Sequence, residues 1–265
     1  MSLPAAGATQ PRLPDDLSSP RPPPWRLEVH DSLPSTSTLL TARAEAGEPE
    51  GLAVLALRQT AGRGTQGRSW TAPAGNLSLS LLLRPQTPLR EMPRWSLLAG
   101  VALAEALGSF LAAPARLRLK WPNDLLLDDR KCAGILVEAG PGAGGVPGWL
   151  VIGIGANLAA APSLPDRPTA SLAMAGIVPP SPEAAARAVL QRLDHWRGRL
   201  AREGFGPVRD AWLRFGPPIG TPLALRGTAG QPDRRGRFAG LAEDGALQLD
   251  TAGGVTLVAS GELTG

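Results

Sequence analysis

This 265-residue chain has one cysteine, two histidines, little lysine and no tyrosine, and each scarcity closes a route. With Cys132 as the only thiol, an intramolecular disulfide and any multi-cysteine metal site are excluded. His30 and His195 lack the spacing of a helical zinc pair, so no metal is expected to be held structurally. The same poverty leaves no convincing Ser-His-Asp or Cys-His nucleophile. No apolar run approaches the roughly 20 residues that span a bilayer, and the N-terminus lacks a charged start followed by an apolar signal core. These absences predict a soluble, reduced, cytoplasmic protein with no membrane partner.

Apolar residues make up 43% of the chain, enough for a substantial core. The net charge of +4 comes from scattered arginines. No basic run and no nucleic-acid signature accompanies it, so a generally basic surface is the simpler reading and DNA is not an expected partner.

Residues 1–24 carry prolines at 4, 11, 14, 20, 22, 23 and 24 with no hydrophobic period. Such a segment buries too little surface to offset its ordering entropy, which predicts a flexible tail rather than a helix-turn-helix domain. From there an α/β pattern runs over 25–215. Ser/Thr residues at 35–38 cap a helix ending at Gly47. Strands are predicted over 52–57 and 77–83, the second from its Leu/Ser alternation. A buried helix covers 95–111, and a strand covers 116–120. The segments 125–127 and 133–138 form a hairpin turning at 128–131. A strand at 151–154 and a helix at 183–202 follow. Beyond Gly216-Pro217-Pro218 come short strands at 222–226, 236–241, 246–249 and 255–259. This predicts a small all-β domain over 216–265.

Gly62-Arg63-Gly64-Thr65-Gln66-Gly67 matches the G-x-G-x-x-G dinucleotide fingerprint. That motif needs a helix N-terminus directly after it to receive the pyrophosphate. Here Arg68-Ser69-Trp70-Thr71-Ala72-Pro73 and another strand follow, so the dinucleotide reading fails. The loop keeps the chemistry of an anion cradle, with mobile backbone N–H groups and the permanent charges of Arg63 and Arg68.

Three further segments join this loop: Lys120-Trp121-Pro122-Asn123-Asp124, Lys131-Cys132-Ala133-Gly134-Ile135-Leu136-Val137-Glu138, and Val151-Ile152-Gly153-Ile154-Gly155-Ala156-Asn157-Leu158. In this order and spacing they resemble the biotin protein ligase family, and the likeness runs from about Ser35 to the C-terminus. It implies an α/β (α+β) fold, a mixed-sheet biotinyl/lipoyl ligase-type catalytic domain followed by a small Src-homology-3-like β-barrel. It also implies a two-step reaction. Biotin's carboxylate attacks the α-phosphorus of Mg²⁺-bound ATP to give biotinoyl-adenylate. A lysine of the biotin carboxyl carrier protein of acetyl-CoA carboxylase then takes the biotin.

The resemblance places Ser35, Thr36, Ser37 and Gln59 around the ureido ring of biotin, whose donors and acceptor suit hydroxyls and an amide. Such a site rejects analogues lacking those groups by roughly 10⁴-fold. Helix capping is a second, compatible use of Ser35 and Thr36. Gly62, Arg63, Gly64, Thr65, Lys131, Gly134 and Gly153 complete the implied biotin contacts. Arg63 and Lys131 match the catalytic cations that screen the repulsion between a carboxylate and a phosphate. Arg68, Trp70, Lys120, Asn123, Asp124, Lys131 and Asn157 match the ATP side, with Trp70 as the surface for adenine stacking. Three positions depart from the family pattern: Thr65 stands where many relatives have arginine, Ser37 where asparagine is common, and Pro34 where an acidic residue often precedes the Ser-Thr pair. Lipoate or octanoate transfer on the same fold and a non-catalytic biotin sensor remain as alternatives. Both a monomer and a homodimer are compatible with the sequence.

Overall fold

The computed structural model describes residues 25–113, 116–165, 167–226 and 233–264, so the proline-rich segment 1–24 lies outside the described residues. Two sheets organise the chain. The larger is built from β1 (Arg26–His30), β2 (Leu52–Ala56), β3 (Leu77–Leu83), β4 (Leu117–Lys120), β5 (Asp124–Leu127), β6 (Arg130–Gly140) and β7 (Trp149–Ala156). Their order is β1-β2-β3-β7-β6-β5-β4. Only β1 and β2 are parallel, and helix α1 (Thr36–Glu45) supplies the crossover between them. Every other pairing is antiparallel.

The two faces of this sheet are covered differently. Ala53, Leu55, Leu77, Leu79, Leu81, Ile152 and Ile154 pack with α2 (Pro93–Gly108), α3 (Pro182–Glu203) and α4 (Gly206–Phe215) into the main core. Val54, Leu82 and Val151 point the other way, onto Leu40 and Ala44 of α1. Strand alternation explains the split, since neighbours in a strand face opposite sides. Helix α1 covers only part of its face, and beyond its N-terminus the sheet is left open.

The expected α1 limits hold: Ser35 Oγ accepts from the Thr38 N–H at 3.3 Å, and Gly47 at φ +91° ends the helix. Other limits move. The helix expected at 95–111 starts earlier because Pro93 initiates it, and it ends at Gly108, where tight turns take over through Phe110 N–H on the Leu107 carbonyl and Leu111 N–H on that of Gly108. The hairpin turn contains two residues, not four. Asp128 and Asp129 sit at φ 49° and 59°, and Arg130 and Lys131 already belong to β6. Strand β1 and helix α4 were not expected.

The second sheet is antiparallel, with β8 (Pro222–Arg226), β9 (Arg234–Leu241), β10 (Leu247–Thr251), β11 (Gly254–Val258) and β12 (Glu262–Thr264) in the order β11-β10-β9-β8-β12. Strand β12 extends the all-β module beyond its expected strands. Phe238, Leu247 and Leu249 join the main core, and Trp121 Nε1 donates to the Gly245 carbonyl at 3.3 Å. Among the described residues, no helix is long and apolar enough to cross a membrane.

Candidate active site

The open part of the sheet, beside the N-terminus of α1, forms a cleft lined by residues of α1, the glycine-rich loop, β3, β6 and β7. Register places its floor. Ser78 pairs with Gly155, which pairs with Gly134, which pairs with Asp124. One row along, Ser80 pairs with Gly153 and Gly153 with Leu136. All of these side-chain positions face the α1 side. Three of them are glycine, so the floor is bare backbone on which other groups can lie closely.

One wall is a network of hydroxyls. Thr36 Oγ1 and Ser37 Oγ lie 2.8 and 3.0 Å from Ser80 Oγ. Gln59 Oε1 accepts from the Thr36 backbone N–H at 2.8 Å and from its hydroxyl at 3.1 Å. Gly153 makes room for this wall, since a Cβ there would stand 2.5 Å from Ser37 Oγ. Ser35, Thr36, Ser37 and Gln59 are therefore gathered as expected. Ser78 and Ser80 were overlooked, although the Leu/Ser alternation of β3 puts both on one face. Ser80→Ala takes one partner from each of two buried hydroxyls. It should cost about 1–3 kcal/mol of stability, read as a lower urea midpoint at unchanged slope.

The glycine-rich segment folds as a tight hairpin. Gly64 N–H donates to the Arg68 carbonyl at 2.7 Å, and Trp70 N–H donates to that of Gly62 at 2.9 Å. These two N–H groups, with that of Arg68 on the Thr65 carbonyl at 3.2 Å, are bonded within the loop. No helix follows, in keeping with the rejected dinucleotide reading. Gly62 is required by packing, because a Cβ would fall 2.3 Å from the Trp70 carbonyl oxygen. The half-buried Trp70 ring lies across Gly155 and Gly134, with Lys131 Nζ 5.8 Å from the ring centroid.

Arg63, Gly64, Thr65, Trp70, Asn123, Lys131, Gly134 and Gly153 all line the cleft. Its cations already have carboxylate partners. Arg63 pairs with Glu138 at 2.6 Å, and Lys131 Nζ donates to Asp124 Oδ1 at 2.6 Å. Asn123 is clipped to β6, its Nδ2 donating to the Ile135 carbonyl at 2.8 Å. Four residues expected on the ATP side do not line the cleft. Arg68 turns away to Glu262 of β12 at 2.8 Å, a contact that holds the Glu262 carboxyl below its ordinary range. Asp124 stands behind Lys131. Lys120 is half-buried, and burial pushes its ammonium below the usual lysine range. Asn157 is buried at the end of β7, its Nδ2 donating to the Ala170 carbonyl at 3.1 Å. Glu138 closes the Lys131–Glu138 motif and Glu262 lies in none, and only the folded contacts reveal them as the partners of Arg63 and Arg68. Cys132 is buried, and desolvation pushes its thiol up to about 12, which rules it out as a nucleophile.

The biotin/lipoate A/B protein ligase family model matches residues 29–157. A biotin–[acetyl-CoA-carboxylase] ligase of Paracoccus denitrificans is 37% identical over 79% of this chain and 88% of its own length. Its namesake in Mycobacterium tuberculosis is 32% identical over 90% of this chain and 89% of its own. A biotin protein ligase from Aquifex aeolicus, solved with biotin and ATP, superposes with a TM-score of 0.74. It shares 27% identity over 90% of this chain and 97% of that one. One from Leishmania major, solved with biotinyl-5-AMP, gives a TM-score of 0.58 and 29% identity over 89% and 99% of the two chains. The expected resemblance thus holds over nearly the whole described length, and the chain belongs to the biotin/lipoate A/B protein ligase family, among its biotin protein ligases.

Proposed function

We propose that this chain adenylates biotin with ATP and transfers the biotinyl group to a lysine of the biotin carboxyl carrier protein of acetyl-CoA carboxylase. The observation that carries this reading is the convergence of Arg63 and Lys131 on the cleft that holds the Ser35–Thr36–Ser37–Gln59–Ser80 network. A ligand with a neutral polar ring at one end and a carboxylate at the other matches that division. In the first step a carboxylate oxygen bonds to the α-phosphorus and pyrophosphate leaves. In the second the acceptor amine bonds to the acyl carbon and AMP leaves.

Two anions must approach each other in the first step. Arg63 and Lys131 would exchange Glu138 and Asp124 for the ligand oxygens, so fixed positive charge is already in place when negative charge gathers. Trp70 would present its ring to adenine, and the bare floor at Gly134 and Gly153 would admit biotin's apolar chain. Arg68, held on Glu262, would act by bracing the loop. Lys120 and Asn157 would act on the ATP side through the strand ends that they hold. Mg²⁺ would arrive on the ATP phosphates, whose usual partners are water and one or two carboxylates. Among the described residues no group of three or more metal-ligating side chains exists, and Asp124 is the carboxylate placed to assist. The catalytic domain, 25–215, and the small β-barrel domain, 216–265, would act as one unit, since Arg68 ties the loop to Glu262 of β12.

Exchange of radiolabelled pyrophosphate into ATP tests the reading, run beside lipoate and octanoate. Exchange with biotin alone is expected. Exchange only with lipoate or octanoate would move the chain to the other acyl group, and none with any acid would leave a binding protein.

A further inference from the structure

Two serines of β3 line the cleft, and only one of them is in use. Ser80 Oγ is taken up by Thr36 and Ser37, at 2.8 and 3.0 Å. Ser78 stands on the same face of the strand and is only 3% exposed, yet its hydroxyl has no hydrogen-bond partner among the described residues. Buried hydroxyls are normally satisfied, so one left idle in the lining of a cleft points to a partner that arrives with the ligand. A second donor beside it is equally idle. Gly155 pairs with Ser78, and the indole edge seated on Gly155 carries Trp70 Nε1, which is buried without a partner among the described residues.

Register indicates which ligand atom these donors meet. The row Ser78–Gly155–Gly134–Asp124 crosses β3, β7, β6 and β5. The cations of the cleft stand at its β6 side. Lys131 Nζ lies 3.5 Å from where a Cβ on Gly134 would be, and Arg63 is held on Glu138 of β6. Ser78 supplies a neutral donor at the β3 end. The hydroxyl wall at Ser80 is one row away, about 7 Å along the strands, a span that the acyl chain covers. On the adenylation reading above, on which this argument rests, the carboxylate oxygen facing the cations bonds to phosphorus and the other faces β3. We infer that Ser78 Oγ–H donates to this second oxygen, which becomes the acyl oxygen of the adenylate, and that Ser78 is a catalytic residue of the transfer step. The two half-reactions ask different things of such a donor. In adenylation the carboxylate's charge flows into the new C–O–P bridge, so the second oxygen loses negative charge and the donor serves binding rather than rate. In transfer the acceptor amine bonds to the acyl carbon and the carbonyl electron pair moves onto the acyl oxygen. That pair returns as the C–O bond to phosphate breaks, AMP leaves with the electrons of that bond, and the amine's proton passes to solvent. Negative charge on the acyl oxygen peaks between these events, where a placed donor counts most.

Ser78→Ala on the full chain tests this. The hydroxyl has no partner to strand, so the fold should be untouched, unlike in Ser80→Ala. Biotin-dependent pyrophosphate exchange should keep its kcat within about two-fold, with KM for biotin raised about 10-fold. Transfer from preformed biotinoyl-adenylate to the carrier protein should slow by about 10²-fold or more. Two stable adenylate analogues then locate the contact. An acylsulfamate keeps the acyl oxygen, and an alkyl phosphate with CH₂ in place of the carbonyl lacks it. The substitution should weaken binding of the first about 5–10-fold and leave the second within about two-fold. Unchanged transfer, equal slowing of both half-reactions or equal weakening of both analogues would overturn the inference. Absence of biotin-dependent exchange in the unsubstituted chain is a separate failure, which removes the adenylation reading and this inference with it.

Discussion

Gly155→Ala should abolish most biotin-dependent pyrophosphate exchange while leaving the protein folded. The Cβ it adds would stand 2.3 Å from Trp70 Cε2 and 2.4 Å from Nε1. Atoms do not approach that closely, so the ring must leave its seat. The backbone at this position is ordinary strand, paired with Ser78 and Gly134, and tolerates alanine. The damage therefore falls on the ring and on the hairpin that carries it. Losing a base–aromatic stack costs about 1–3 kcal/mol, and misplacing a ligand by about 1 Å costs about 10²-fold. Together they predict a fall of at least 10²-fold in kcat/KM for ATP, with a melting temperature near that of the parent. Gly134→Ala is the built-in comparison. Its Cβ would lie 3.3 Å from Trp70 Cζ3, close enough to nudge the ring without evicting it, so its loss should be several-fold smaller. In the G155A/W70A pair the second change should add little, because the first has already removed the ring. Equal losses for the two glycine variants would show that the ring's seat is irrelevant.

The parts of this site differ in how plainly the sequence announces them. Its glycines, hydroxyls and cations stand in contiguous motifs, and local rules place most of them. Ser35 caps a helix, and Leu77–Leu83 alternates. The hairpin at 128–131 shows a subtler failure. Asp-Asp followed by Arg-Lys reads as a polar four-residue turn, yet both aspartates tolerate positive φ, so two residues suffice. The consequence is functional, since Lys131 becomes a strand residue with a fixed direction instead of a loop lysine. Strand β1 escaped notice because it follows a proline run and mixes Arg, Glu and His with its apolar residues. Helix α4 opens on Gly206-Pro207, a pair that interrupts a helix in mid-run although proline suits the first turn. Least legible were the partners, Ser80 for Thr36 and Ser37, Glu138 for Arg63, and Glu262 for Arg68. Each pair joins elements far apart in the chain, α1 to β3, the glycine-rich loop to β6 and the same loop to β12, which no window of sequence contains.

Lys131→Ala should lower kcat for exchange by about 10²–10³-fold, the usual cost of removing a preorganised charge where negative charge develops. Part of that loss has a second origin. The ammonium and Asp124 are each only 18% exposed, so deleting the lysine leaves a poorly hydrated carboxylate facing incoming anions. The pair K131A/D124N should therefore recover some activity relative to K131A, because the repulsive charge goes with its partner. Asp124→Asn alone should be milder than Lys131→Ala, since the cation survives. Lys131→Arg should not restore the parent rate, because a planar fork cannot reproduce a compact ammonium wedged 2.6 Å from Asp124 and 5.8 Å from the Trp70 ring centroid. The two half-reactions separate barrier-lowering from binding. Transfer from preformed biotinoyl-adenylate needs no approach of carboxylate to triphosphate, so K131A should impair it far less than exchange. A rise in KM for biotin at unchanged kcat would instead make Lys131 a group that grips ground state and transition state alike, and the charge-screening account of the first step would fall.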